Sequence, residues 1–136
     1  TADTQACDDG ETAICFMGHG SDAAANAIYS DFQQRLHRAT YRNYYIGTVE
    51  ADPTLEQLLA LVRTGGNYKR VLLQPLMVVA GDHVHHDMAG EDDESWKRTF
   101  EKAGYEVTCI VKGLGELECI RNIYVSHVRN CIKQML

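Results

Sequence analysis

The stretch that most restricts the fold is Thr12-Ala13-Ile14-Cys15-Phe16-Met17, a short and almost wholly apolar run ended by Gly18-His19-Gly20-Ser21. A strand with one wet face would alternate apolar and polar residues. This run does not alternate, so it reads as a parallel strand buried on both faces and followed by a tight turn into a helix. Parallel neighbours need a crossover connection, usually a helix, so the remainder of the chain has to supply strands and helices in alternation.

It does so in order. Ser21 or Asp22 can cap a helix over about 23–38, where Ala27, Ile28, Phe32, Leu36 and Ala39 recur at three- and four-residue spacing. Tyr44 to Val49 reads as a second strand, and Thr54 to Val62 as a helix carrying Leu55, Leu58, Leu59 and Val62, with Gly65-Gly66-Asn67 as its stop. Tyr68 to about Ala80 is the most hydrophobic segment and supplies a central strand, which Pro75 ends or bulges because proline cannot donate to a ladder. After a histidine-rich loop, Asp92-Asp93-Glu94 opens a third helix holding Trp96 and Phe100, since acids in a first turn suit the helix dipole. Tyr105 to Val111 forms a fourth strand and Lys112-Gly113-Leu114-Gly115 a turn. Glu116 to about Gln134 is a last helix with Ile120, Ile123, Tyr124, His127, Val128 and Cys131 on one face, where His127 reads as a packing residue. The expectation is an α/β fold, a four-stranded parallel sheet between helices in a three-layer, flavodoxin-like sandwich.

A chain of 136 residues, 45% of them hydrophobic, forms one domain. The expected division is a loose lead-in over 1–11 and a single α/β domain over 12–136. A formal charge of −6 disfavours nucleic acid as a partner, because phosphate backbones call for a basic face. The five cysteines, Cys7, Cys15, Cys109, Cys119 and Cys131, are odd in number and unrelated in spacing, so they read as reduced thiols of a cytoplasmic protein. No apolar run reaches the roughly 18 residues a membrane span needs, and no signal segment opens the chain.

Ligands of parallel sheets lie beyond the carboxyl ends of the strands. Three polar residues fall there: His19 after the first strand, Glu50 after the second and His83 after the third. If the first strand lies between the other two, neighbouring strands about 4.8 Å apart bring two imidazoles and a carboxylate together. That set leaves coordination positions open, as a reactive divalent ion needs. The alternatives are a glycine-rich turn that His19 merely decorates, a capping or solvated Glu50, and a solvated histidine loop. Around His83, Asp82 and Asp87 can orient imidazoles, while His85 and His86 add two more rings within the same few residues.

Several separated stretches in order, Phe16-Met17-Gly18-His19-Gly20, Gly47-Thr48-Val49-Glu50-Ala51, Leu73 to His83, Asp87-Met88 and Lys112-Gly113-Leu114-Gly115-Glu116, resemble the motifs of the anaerobic sirohydrochlorin cobaltochelatases, class II tetrapyrrole chelatases. The similarity runs over nearly all of residues 12 to 135. It implies insertion of Co(II) into sirohydrochlorin in anaerobic cobalamin biosynthesis, with cobalt as substrate metal, a tetrapyrrole as partner and no organic cofactor. It also implies that His19, Glu50 and His83 hold the metal and carry catalysis, whereas His85 and His86 fall outside the family pattern. The resemblance is to the carboxyl-terminal half of a two-domain architecture, and the chain opens on Thr1, so a fragment of a longer protein is expected in preference to two paired copies. Arg42, Lys69, Arg70, Lys97 and Arg98 are compositional candidates for meeting substrate carboxylates, and none is assigned to the site. A non-catalytic metal- or haem-binding module built on His83, His85 and His86 is the alternative function, and a zinc-dependent hydrolase is a third.

Overall fold

The computed structural model describes residues 9–135. Strand β1 (Thr12–Gly18) is buried along almost its whole length. It pairs in parallel with β2 (Tyr44–Thr48) on one side and β3 (Arg70–Pro75) on the other, and β3 pairs with β4 (Glu106–Cys109). The sheet order is therefore β2-β1-β3-β4, all parallel, with the first strand between the second and third. The register sets Gly18 opposite Thr48 and Met17 opposite Pro75, so the three strands end level with one another.

Helices cover both faces. On one, α2 (Leu55–Gly65) and α3 (Trp96–Lys102) bury Leu58, Val62, Trp96 and Phe100 against Ala13, Cys15, Met17, Val71 and Leu73. Full burial stabilises each such large side chain by about 1.5–3 kcal/mol. On the other face, α1 (Ala27–Arg38) brings Leu36 against Ile14, Tyr44 and Leu72. Helix α1 also protects the sheet edge. The Gln33 amide donates to the Tyr44 carbonyl at 2.7 Å and its oxygen accepts from the Ile46 N–H at 2.8 Å, satisfying backbone groups that an edge strand leaves free.

Local chemistry fixes the element ends. Thr54 and Gln57 form a reciprocal capping box at the start of α2. Strand β3 stops at Pro75, where the ladder loses a donor. The first helix opens as a 3-10 turn, Ala24–Asn26, without a side-chain cap, although the Ser21 hydroxyl accepts from the Ala23 N–H.

Three expectations change. The acids Asp92-Asp93-Glu94 do not open the third helix: Ser95 accepts from the Arg98 N–H and starts α3 at Trp96, a hydroxyl cap within reach of the orphan donors displacing the weaker pull of acids on the dipole. The histidine-rich segment is not an irregular loop but a π-helical turn, His83–Met88. The final helix α4 (Glu118–Met135) buries none of its residues, and His127, read as a packing residue, is exposed with Ile123, Tyr124 and Val128. An apolar stripe states that a face can be covered, not that the chain's own sheet covers it.

Of the lead-in over 1–11, residues 1–8 lie outside the described residues. Asp9 accepts from the Thr12 hydroxyl and pairs with Arg70, and Lys69 pairs with Glu11. The Thr12 bond, with the Arg70 guanidinium, pulls the Asp9 carboxyl down to about 2. Among the described residues no helix is long and apolar enough to cross a membrane.

Candidate metal centre

The site is built where three strands end. After β1 the backbone turns through Gly18-His19-Gly20, and the turn needs both glycines. A Cβ on Gly18 would run into the Tyr29 ring, and Gly20 has φ +91°, a left-handed conformation that L side chains rarely adopt. The Tyr29 hydroxyl accepts from the Gly20 N–H at 3.2 Å, tying the turn to α1.

Glu50 reaches His19 because the β1–β2 ladder continues past the strand ends. Val49 N–H donates to the Gly18 carbonyl at 3.0 Å and Glu50 N–H to the His19 carbonyl at 2.9 Å. The following turn is folded around Thr48, whose hydroxyl donates to the Ala51 carbonyl at 2.5 Å and accepts from the Ala51 N–H at 3.2 Å. The Asn26 amide donates to the Asp52 carbonyl at 2.7 Å.

His83 arrives by a different route. Leu76 N–H donates to the Met17 carbonyl at 2.7 Å, carrying β3 one residue beyond its end. The connecting segment is then clamped by the turn that follows β4, where Leu114 N–H donates to Met77 and Gly115 N–H to Val78. That turn is closed by Gly113 N–H donating to Glu116 at 2.9 Å. In the π turn Val84 and Met88, four apart, are buried in the core. His83 and Asp87, also four apart, are half-buried beside them, and His85 and His86 are exposed. The turn thus separates three crowded histidines onto different sides, and isolated π turns of this kind recur at functional sites.

His19, Glu50 and His83 converge. His19 Nδ1 lies 3.5 Å from one Glu50 oxygen and His83 Nε2 lies 3.9 Å from the other. The two imidazoles meet edge to face with centroids 4.9 Å apart. One ligand atom from each residue falls within 4.8 Å of the other two, and among the described residues this is the one such cluster of histidine, cysteine, aspartate or glutamate. Donors about 2.1 Å from a tetrahedral divalent ion stand about 3.4 Å apart. The imidazoles stand 3.5 and 3.9 Å from the two Glu50 oxygens, so a cation taking one atom from each residue, now within 4.8 Å of one another, would draw the three side chains together. The side chains are 49%, 53% and 36% exposed, so the site is open to solvent.

The donor set is nitrogen and oxygen. Cys15 is buried within the core, where burial pushes its thiol far above the ordinary range, and burial raises Cys109 to about 11. Both thiols resist becoming the thiolates that bind metal. Four of the basic candidates are already engaged: Lys69 and Arg70 with Glu11, Lys97 and Arg98 with Glu91. Arg70 opens β3 and so lies at the far end of the sheet from His83. The supporting contacts of Tyr29, Asn26, Thr48 and Glu116 carry no periodic signal in the sequence and emerge only from the folded turns.

The cobalt chelatase (CbiK) family model matches residues 2–133. A sirohydrochlorin cobaltochelatase of Salmonella typhimurium is 39% identical over 121 residues, covering 88% of this chain and 44% of that protein. The sirohydrochlorin cobaltochelatase CbiKC of Nitratidesulfovibrio vulgaris is 33% identical over 125 residues, covering 92% of this chain and 44% of its own length. The chain therefore spans less than half the length of these curated relatives, aligning with their carboxyl-terminal half.

Proposed function

The chain belongs to the cobalt chelatase family, and we propose that its His19, Glu50 and His83 receive Co(II) and pass it into sirohydrochlorin, the substrate named in its relatives. The observation that carries this reading is the convergence of two imidazoles and one carboxylate at a solvent-open sheet end. Because the relatives are more than twice as long, the remainder of such a protein would face the open side of this site and supply the cations that meet the substrate's carboxylates.

Metal insertion requires a partly desolvated cation beside the ring and removal of two pyrrole protons. Neutral imidazoles on His19 and His83, with the Glu50 carboxylate, hold the cation through three donors and leave the other positions to water and then to pyrrole nitrogens. As ring nitrogens bind, protein donors leave one at a time, and a freed carboxylate or imidazole accepts the protons that the pyrroles release. A mixed nitrogen and oxygen set suits transfer, since the ion must be surrendered. A simple histidine chelator would have no use for Glu50.

The test follows metallation of sirohydrochlorin by absorbance with Co(II) and the wild type, His19→Ala, Glu50→Ala or His83→Ala. The wild type is expected to exceed the protein-free rate and each variant to fall towards it. Equal rates in the wild type and all three variants would overturn the proposal.

A further inference from the structure

A hydrogen bond to Asp87 lies behind the His83 ring. Its Nδ1 lies 2.5 Å from Asp87 Oδ2, while Nε2, on the other side of the ring, faces Glu50 Oε1 at 3.9 Å. An ionised carboxylate only accepts, so in a neutral ring Nδ1 carries the proton and Nε2 the lone pair. We propose that Asp87 is a positioning residue for the metal centre, holding His83 in the tautomer and rotation that aim the Nε2 lone pair at the cation.

The fold supplies what this role requires. Val84 and Met88 are fully buried, which pins the π turn to the core, and His83 and Asp87 precede each by one position. The carboxylate is therefore held against the ring by the same packing that fixes the turn. Asp82, the other acid beside the histidines, is exposed and caps nothing with its side chain, so it has no comparable hold on a ring. His19 is oriented differently: the ring nitrogen that faces Glu50 at 3.5 Å, Nδ1, is also the one that lies 3.1 Å from the neighbouring Gly20 carbonyl.

This inference rests on the proposed role of His83 as a ligand, and the experiment separates the two. Nitrogen-15 NMR of the metal-free protein reads the His83 tautomer, and a Co(II) titration followed in the visible d–d bands reads affinity and geometry, in the wild type, Asp87→Ala, Asp87→Glu, Asp87→Asn and His83→Ala. The wild type is expected to hold the Nδ1–H tautomer. Asp87→Ala should move His83 towards Nε2–H, weaken Co(II) binding roughly 10- to 100-fold and alter the d–d bands. Asp87→Glu, whose longer carboxylate still reaches Nδ1, should recover most of the affinity. Asp87→Asn, which keeps an oxygen acceptor but not the charge, should retain the tautomer with intermediate affinity and guards against an alanine variant that fails to fold. An Nε2–H tautomer in the wild type would overturn the inference. So would unchanged Co(II) affinity in Asp87→Ala beside a loss in His83→Ala, which leaves the ligand reading intact. Unchanged affinity in both would remove the ligand reading itself.

Discussion

Gly20→Ala perturbs the strand-end turn that joins two of the three site residues, and its effect can be worked from the backbone. Gly20 has φ +91°, and an added Cβ would lie 2.9 Å from the Ala51 nitrogen and 3.0 Å from the Thr48 hydroxyl. Holding an L residue in the left-handed region costs about 1–2 kcal/mol. For a chain of this size that lowers Tm by about 3–10 °C. The contact with Ala51 acts in addition, and it strikes the residue next to Glu50, so the turn must shift away from His19. Gly104 supplies the control, because it has φ +96° but nothing within 4 Å of an added Cβ. Thermal melts and Co(II) titrations of Gly20→Ala and Gly104→Ala should show both variants destabilised and only the first weakened in Co(II) binding. Equal Co(II) affinity in the two would refute the claim that this turn sets the spacing between His19 and Glu50.

Further outcomes follow from burial and charge. Asp9 has a carboxyl lowered from an ordinary 3.8 to about 2 by its Thr12 bond and by Arg70, so its contribution to stability is full above about pH 4 and lost as pH falls through about 2. The Tm difference between wild type and Asp9→Asn should shrink over that window and not at neutral pH. Leu58→Ala, at a fully buried position, should cost about 2–5 kcal/mol in denaturant unfolding. Val128→Ser, on the exposed stripe of α4, should cost no more than about 0.5 kcal/mol in the same assay. His85→Ala and His86→Ala, at exposed positions outside the converging set, should leave Co(II) affinity unchanged by titration.

Much of the architecture was legible because burial on both sides leaves a plain mark. Thr12 to Met17 could only be an inner strand, and alternation of strands with helical stripes then restricted the sheet to parallel order. Once β1 lay between β2 and β3, residues 19 and 50 had to meet at adjacent strand ends, and residue 83, eight positions beyond β3 (83 − 75), joins them through the π turn. What stayed hidden was shorter in range. The π turn buries Val84 and Met88 at a spacing of four over six residues, too few for any period to declare itself. The acids before Trp96 have the composition of a first helical turn, yet one hydroxyl at Ser95 sets the boundary. The stripe on α4 has the spacing of a packed face, and spacing carries no information about what it packs against. His85 and His86, conspicuous in the sequence, face solvent, while Asp87, one acid among nineteen, carries the bond that orients a ring.

Cobalt K-edge X-ray absorption of the Co(II)-loaded protein reads the donor set directly. Two imidazoles and a carboxylate oxygen, completed by light-atom donors and without sulfur, are the result expected of His19, Glu50 and His83. A sulfur shell, or three or more imidazoles that fall in number in His85→Ala or His86→Ala, would place the ion elsewhere and contradict the account.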